Sequence, residues 1–120
     1  MEANKIIITG AATRIGAAIA KKLSGPGVEM VIHYNSSKSS AEKLQKELSK
    51  NKTKVYLVKG DLAKEQDLKK IIKFSKLKLK YFDCLVNNAS LFENDSLKNF
   101  SYKSWNQHID VNLKAPAYLT

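Results

Sequence analysis

Two glycines near the N-terminus bracket a segment with the residue types needed to bind a phosphate group. The segment Thr9-Gly10-Ala11-Ala12-Thr13-Arg14-Ile15-Gly16 follows the apolar run Ile6–Ile8. Gly10 can adopt the positive φ of a tight turn, and Gly16 lets a following helix approach the sheet closely. The free N–H groups at the start of such a helix attract a diphosphate. The spacing therefore predicts a dinucleotide-binding turn, although an ordinary strand-to-helix turn can carry the same two glycines.

Apolar runs alternate with amphipathic stretches along the chain, and this alternation indicates the fold. We predict strands at Ile6–Ile8, Val28–His33, Lys54–Val58 and Phe82–Val86. We predict helices at Ile15–Leu23, Ser39–Lys50, Lys64–Phe74 and Ser101–Tyr118, with a polar loop at Asn87–Phe100. Apolar strands that alternate with helices are typical of a parallel sheet covered on both faces. With right-handed crossovers, the natural arrangement is an α/β Rossmann-type, doubly wound sheet with strand order 3-2-1-4, which binds ligands at the carboxyl ends of its strands.

The composition is that of a globular protein with an excess of positive charge. The chain has 120 residues, 43% of them hydrophobic and 27% charged, which fits one domain and excludes collagen-like and disordered classes. Its 21 basic and 11 acidic residues give a net charge of +10, and Arg14 is the only arginine. Specific nucleic-acid surfaces usually use arginine. We therefore interpret the lysines as solvated helix faces and expect no specific nucleic-acid partner, with nonspecific polyanion binding as the alternative.

Other features bear on compartment and metal binding. No apolar run approaches the roughly 18 residues of a membrane span, and the MEANK start has none of the features of a signal peptide. Cys84 is the only cysteine, so neither an intrachain disulfide nor a cysteine-cluster zinc site can form. We expect a cytoplasmic protein with no membrane association and no metal.

Two motifs together resemble those of the short-chain dehydrogenase/reductases. That family carries TGxxxGxG in the first turn and NNAG after strand four, and here the corresponding residues are Thr9-Gly10…Arg14-Ile15-Gly16 and Asn87-Asn88-Ala89-Ser90. Arg14 replaces the middle glycine and Ser90 the last one. Both departures, the stretch His33-Tyr34-Asn35-Ser36-Ser37 and Phe92 resemble the pteridine reductase-like branch. The resemblance covers essentially the whole chain.

The end of strand two favours NADP(H) over NAD(H). Folds that prefer NAD place an Asp or Glu there to bind the ribose 2′-hydroxyl. This chain has His33, Tyr34, Asn35, Ser36 and Ser37 instead, with Lys38 next and Arg14 in the adjacent turn. No acid would repel a 2′-phosphate, and hydroxyls, an amide and a helix N-terminus could donate to it. His33 alone could equally be a structural histidine at a strand end.

The resemblance assigns further residues to the two ends of the cofactor. Asp61 and Leu62 match the pair that contacts adenine, although Asp61 could also cap the next helix. Asn88 and Ala89 match residues that line the nicotinamide-ribose side, although an asparagine there could be purely structural. Including the first turn, the expected cofactor-binding residues are Gly10, Thr13, Arg14, Ile15, Gly16, His33, Tyr34, Asn35, Ser36, Ser37, Asp61, Leu62, Asn88, Ala89 and Ser90.

The same resemblance implies a substrate site and one catalytic residue. Arg14, Ser90 and Phe92 would hold the substrate, with Phe92 resembling an aromatic that stacks on a pterin ring; a loop-anchoring aromatic is the alternative. Asn112 matches the asparagine of the family's Asn-Ser-Tyr-Lys tetrad. Pro116, four residues later, has no N–H for the Asn112 carbonyl, which predicts a kink there.

The other tetrad members have no counterpart in these residues. No tyrosine near the expected hydride-transfer site has a lysine four places on, since the pair Tyr34 and Lys38 lies in the 2′-phosphate loop. We therefore expect residues 1–120 to be a partial NAD(P)-binding Rossmann domain that is inactive alone.

The parent function that these residues favour is NADPH-dependent reduction of a small-molecule substrate, a pterin or dihydrofolate. A 3-oxoacyl-thioester reductase or general ketoreductase of the same superfamily, and a non-catalytic dinucleotide-binding module, are the alternatives. We expect the full-length form to be a homo-oligomer.

Overall fold

Four strands form one parallel sheet, and a computed structural model describes it for residues 4–91 and 101–120. The strands are β1 (Lys5–Ile8), β2 (Glu29–Tyr34), β3 (Lys54–Lys59) and β4 (Cys84–Val86). Their order across the sheet is β3-β2-β1-β4, and every pair is parallel. In register, Ile7 lies beside Val31 on one side and Leu85 on the other. The sequence prediction of a Rossmann-type sheet with order 3-2-1-4 is confirmed.

Helices cover both faces because successive side chains of each strand point to opposite sides. The first three are α1 (Arg14–Leu23), α2 (Lys38–Ser49) and α3 (Glu65–Leu79). On one face, Ile6, Ile8, Met30 and Ile32 pack with Ala20 of α1 and with Leu44 and Leu48 of α2. On the other, Ile7, Val31 and Val58 pack with Leu68, Ile71 and Leu79 of α3.

The third helix is longer than its sequence predicts. The prediction ended it at Phe74, but α3 continues to Leu79 and ends at Lys80, whose φ of +67° leaves the helical region. Its buried positions are Leu68, Ile71, Ser75 and Leu79. These positions have helical spacing throughout. The apolar pattern is hard to recognise in the sequence because a serine interrupts it and lysines alternate with the apolar residues that follow. Strand β4 is correspondingly shorter, since Phe82 and Asp83 precede it.

The last helical stretch contains a wider turn. It consists of α4 (Tyr102–Ile109), a π-helical segment (Asp110–Lys114) and α5 (Ala115–Leu119). The Ala115 N–H bonds to the carbonyl of Asp110, five residues back. Pro116 offers no N–H to the carbonyl of Asn112, and the wide turn lies directly before it, where the helical ladder is interrupted. The kink predicted at Pro116 is thus a π-helical turn. Within α5, Ala115 and Leu119 are buried against the α3 side of the sheet.

The amino ends of β1 and β4 are tied together by one side chain. The Asp83 carboxylate accepts hydrogen bonds from the backbone N–H groups of Asn4 (3.1 Å) and Lys5 (3.0 Å). Lys5 also forms an ion pair with Glu29 at 2.8 Å, which raises the pKa of Lys5 and lowers that of Glu29. Cys84, at the start of β4, is half-buried. No helix in residues 4–91 and 101–120 is long and apolar enough to span a membrane.

Candidate functional site

A cleft of about 840 Å³ opens at the carboxyl ends of the strands. It is lined by every residue that the sequence suggested for cofactor binding except Gly16. Five further residues line it, and the sequence reasoning missed them: Ala12, Ala63, Leu91, Gln107 and Val111. The topology explains the location, because parallel strands bring all their carboxyl ends to one edge.

The turn between β1 and α1 is closed too tightly for side chains at its two glycines. Gly10 has a φ of +62°, and a Cβ there would lie 2.8 Å from the Cα of Ala89. A Cβ on Gly16 would overlap the carbonyl oxygen of Gly10 and lie 2.6 Å from Nδ2 of Asn88. Gly16 therefore does not line the cleft, but its missing side chain allows the close packing of the turn that does.

Side-chain hydrogen bonds connect this turn to the segment that follows β4. Thr9, buried at the end of β1, accepts hydrogen bonds at Oγ1 from the N–H groups of Asn88 and Ala89, both at 3.1 Å. Asn88 Nδ2 donates to the Gly10 carbonyl at 3.0 Å. The amide of Asn88 is therefore engaged in fixing the turn, which agrees with the structural alternative raised for this residue.

His33 lies behind the same turn. Its ring is 2% exposed, Nδ1 is 3.1 Å from the Gly10 nitrogen, and Nε2 is 2.7 Å from the Gly60 carbonyl oxygen. Burial lowers the pKa of the His33 imidazole, so the ring is neutral at pH 7. Since both ring nitrogens bond to backbone groups, the side chain has no free donor for a 2′-phosphate. This arrangement agrees with the structural alternative raised for His33, which nevertheless lines the cleft.

Arg14 occupies a backbone conformation that favours glycine. Its φ is +54°, in the left-handed region, and it is the first residue of α1. Most side chains raise the energy of that conformation by roughly 1–2 kcal/mol. Glycine is the residue that adopts it without strain, so the family motif with glycine at this position has a physical basis. Arg14 is exposed and lines the cleft.

The loop between β2 and α2 presents free polar groups. Tyr34 is buried against Ala12 and Ala41, whereas Asn35 and Ser36 are exposed. Ser37 is the N-cap residue of α2, but its hydroxyl makes no capping hydrogen bond. By contrast, Ser101 of α4, outside the cleft, caps its helix by accepting from the Ser104 N–H at 3.0 Å.

The first turn of α1 resembles that of α2. Its N-cap residue is Thr13, whose hydroxyl also makes no capping hydrogen bond. Thr13 and Ser37 both line the cleft. Two helices therefore direct uncapped N-termini, with their positive dipole ends, at the same space, which suits an anionic ligand with two phosphate positions.

Asp61 follows β3 at the far side of the cleft. One carboxylate oxygen accepts from the Ala63 N–H at 2.9 Å, and the Asp61 N–H donates to Asp67 at 2.7 Å. Asp61 therefore stabilises its own turn, a role similar to the helix capping considered as its alternative. The helix α3 itself begins later, at Glu65. Leu62 is buried with Leu68 and Ile71 on the α3 side of the sheet.

Asn112 joins the last helical stretch to the segment after β4. Its Oδ1 accepts from the Leu91 N–H and its Nδ2 donates to the Leu91 carbonyl, both at 2.8 Å. Asn112 itself does not line the cleft, but Leu91 does, together with Gln107 and Val111. Gln107 and Val111 are four residues apart, the spacing of one helix face, which is the signal that would have found them. Ser90 is exposed at the cleft, and Phe92 lies outside the described residues.

The fold is a Rossmann-type unit with an open cleft at the carboxyl edge of its sheet. The family model for short chain dehydrogenases matches residues 4–120. The chain therefore belongs to the short-chain dehydrogenase family.

Similar proteins agree with this assignment. The chain is 30% identical over 113 residues to short-chain dehydrogenase/reductase FrzI of a Cladobotryum species, covering 94% of this chain and 44% of that protein. It is 31% identical over 108 residues to 3-oxoacyl-[acyl-carrier-protein] reductase FabG of Staphylococcus epidermidis, covering 90% and 44%. The chain thus spans less than half the length of these relatives.

Solved structures show the same fold. A short-chain dehydrogenase from Burkholderia cenocepacia in complex with NADP is 25% identical, with a TM-score of 0.91 over 97% of this chain and 47% of that one. FolM alternative dihydrofolate reductase 1 from Brucella canis, complexed with NADP, is 31% identical, with a TM-score of 0.86 over 95% and 46%.

Proposed function

We propose that this chain binds NADP(H) in the cleft and forms the cofactor-binding part of an NADPH-dependent reductase. The observation that carries the proposal is the loop after β2, which exposes Asn35 and Ser36 and leaves the hydroxyl of Ser37 uncapped. No acidic residue stands between Tyr34 and Lys38 to repel a 2′-phosphate. Relatives of the same fold are described in complex with NADP.

The residues divide between the parts of the cofactor. The α1 N-terminus, from Thr13, would hold the diphosphate, while Ser36, Ser37 and Arg14 would hold the 2′-phosphate. Asp61 and Leu62 border the space for adenine. Ala89 and Ser90 border the nicotinamide side. These groups bind and orient; the hydride comes from the bound nicotinamide.

The substrate that we propose is a pterin or dihydrofolate. Arg14, Ser90 and Phe92 would contact it, and the FolM relative at 31% identity supports this class. In the net reaction, NADPH supplies a hydride, solvent supplies a proton, and the substrate gains both. Asn112 would support proton transfer indirectly, by holding the Leu91 backbone beside the substrate space.

A 3-oxoacyl-thioester reductase is the second candidate. The FabG relative, at 31% identity, supports it. Ser90 and Arg14 at two glycine positions of the motif favour the pteridine class over it. A non-catalytic binding module is the third alternative, and it shares the cofactor site.

Calorimetric titration of the 120-residue chain with NADPH and with NADH tests the cofactor proposal. We expect tighter binding of NADPH, because its 2′-phosphate meets donors and no carboxylate. Equal affinities, or tighter binding of NADH, would contradict the proposal. We expect no NADPH-dependent reduction of dihydrofolate or dihydrobiopterin by these residues alone, since general acid catalysis typically contributes about 10²–10⁴-fold. The one Tyr-x-x-x-Lys pair in the sequence, Tyr34 and Lys38, belongs to the proposed 2′-phosphate loop and not to the nicotinamide side.

We also propose that the protein self-associates. On the last helical stretch Trp105 and Leu113 are 58% and 63% exposed, while Ile109 between them is half-buried. Among the described residues, β4 is an edge of the sheet, and the one charge in the run Phe82–Val86, Asp83, is engaged by the β1 backbone. An apolar edge strand favours pairing with a second copy. Sedimentation velocity at several concentrations should show association, and a monomer at every concentration would contradict it.

A further inference from the structure

His33 joins three segments that meet at the cleft. Its Nδ1 lies 3.1 Å from the Gly10 nitrogen and its Nε2 2.7 Å from the Gly60 carbonyl oxygen. Its own backbone carbonyl accepts from the Ala11 N–H at 3.1 Å. One residue at the end of β2 thus connects the turn after β1 to the end of β3.

The chemistry of the two partners selects one form of the ring. The Gly10 N–H can only donate, so Nδ1 must be the unprotonated, accepting nitrogen. The Gly60 carbonyl can only accept, so Nε2 must carry the hydrogen. The neutral Nε2–H tautomer satisfies both partners. The imidazolium would place an N–H against the Gly10 N–H.

Both polar groups of the Gly10 backbone are engaged: its N–H by His33 Nδ1 and its carbonyl by Asn88. Its carbonyl accepts from Asn88 Nδ2, and at its φ of +62° the turn passes so close to Ala89 that there is no room for a Cβ. The Gly10 peptide is therefore fixed from β2 by His33 and from β4 by Asn88. The geometry that follows, Ala11 to Gly16, starts from this fixed peptide.

We infer that His33 is a positioning residue for dinucleotide binding: its neutral Nε2–H tautomer fixes the Gly10 peptide, and the protonated ring cannot. The ligand in this inference rests on the proposed function, whereas the tautomer and its effect on Gly10 do not.

The surroundings of the ring favour the neutral form. Burial is the largest influence and lowers the pKa of His33. The charged groups that act on the ring are Asp61 after β3 and Asp67 and Lys70 in α3. The two carboxylates favour protonation and Lys70 opposes it, but burial dominates. The ring therefore keeps its accepting Nδ1 through neutral pH and loses it only in acid.

Two variants separate the two bonds. In His33→Asn, the side-chain oxygen can stand near the position of Nδ1 and accept from Gly10. In His33→Gln, the longer amide can reach Gly60 and leaves Gly10 without its acceptor. We expect His33→Gln to weaken NADPH binding about tenfold and His33→Asn to retain most of it, because only His33→Gln leaves the Gly10 N–H without its acceptor. Equal affinities in the two variants would overturn the inference.

Measurements without cofactor decide the positioning claim independently. The ¹⁵N shifts of the His33 ring in the wild-type chain should show the Nε2–H tautomer at pH 7.5. The Gly10 amide should lose hydrogen-exchange protection in His33→Gln and, in the wild type alone, on acidification. The inference would be overturned by an Nδ1–H tautomer. It would also be overturned if the hydrogen-exchange protection of the Gly10 amide were the same in His33→Gln as in the wild type and did not change on acidification. If wild-type protein does not bind NADPH, the proposed function fails, and the ring and Gly10 measurements still decide this claim.

Discussion

The turn after β1 and the loop after β2 face the same cleft but are built in opposite ways. In the first, the Gly10 peptide is held by Asn88 and His33, and Gly16 leaves no room for a Cβ. In the second, Asn35 and Ser36 are exposed and the hydroxyl of Ser37 makes no capping bond. The turn after β1 presents a fixed backbone shape, whereas the loop after β2 presents exposed polar side chains. On the proposed function, shape recognises the diphosphate common to all dinucleotides, and side chains select the 2′-phosphate.

The largest expected effect comes from filling the fixed turn. Gly16→Ala should destabilise the fold by about 2 kcal/mol or more and abolish dinucleotide binding, because the new Cβ meets backbone on two sides. Urea unfolding and calorimetry measure both effects. The matched control is Gly25→Ala, where a Cβ meets nothing within 4 Å, and its stability should change by less than about 0.5 kcal/mol. Similar behaviour of the two variants would break the account of the fixed turn.

A charge in the open loop should act on selectivity without unfolding the protein. Ser37→Asp should weaken NADPH binding about tenfold or more while affecting NADH far less, since two negative charges within a few ångströms repel by about 1–4 kcal/mol. Titration with both cofactors measures the ratio. Asn106→Asp on α4 adds the same charge outside the cleft and should leave the ratio unchanged. Parallel losses for both cofactors in Ser37→Asp would show that this loop does not select.

Arg14 bears on both regions, since its backbone lies in the fixed turn and the residue is exposed at the cleft. Arg14→Gly should raise stability by about 0.5–1 kcal/mol by removing left-handed strain, and it should also weaken NADPH binding. Lys52→Gly is the matched control, with a φ of +67° far from the cleft. It should gain similar stability with unchanged binding. Thermal melts and calorimetry on both variants provide the comparison, and unchanged NADPH binding in Arg14→Gly would remove Arg14 from the site.

The smallest effect is a pH dependence of stability from His33. Because burial lowers the pKa of the folded ring, the unfolded state binds the proton more readily. The stability that the neutral His33 ring contributes is fully present above the ordinary histidine pKa of 6.5. It is lost as the pH falls from there toward the lower pKa of the folded state. Urea unfolding between pH 7.5 and 5.5 should show this slope in the wild type and a flatter one in His33→Asn. Identical slopes would mean that His33 is not held neutral.

The sequence predicts the strands, the helices and the first turn because the patterns that indicate them involve residues close together in the chain. The run Ile6–Ile8, the spacing of Gly10 and Gly16, and the absence of an acid after Tyr34 each depend on neighbouring residues alone. Strand order then follows from chain handedness and the alternation of elements.

The remaining details depend on contacts between distant residues. The partners of His33 and Asn88 come from other strands, so their engagement by the Gly10 peptide cannot be read locally. The extension of α3 was hidden by Ser75, a buried hydroxyl without a hydrogen-bond partner in the described part of the chain. Pro116 predicts an irregularity, but a proline alone does not distinguish a simple kink from a π-helical turn.

The central claim is that this chain binds a phosphorylated dinucleotide at the carboxyl edge of its sheet. Titration of ¹⁵N-labelled protein with NADPH, followed by amide chemical shifts, tests it directly. We expect the largest shifts at Gly10, Thr13–Gly16, Ser36–Lys38 and Asp61–Ala63, with little change at the amino edge around Lys5 and Asp83. Shifts concentrated instead on the lysine-rich surface of α3, or no shifts at millimolar NADPH, would contradict it.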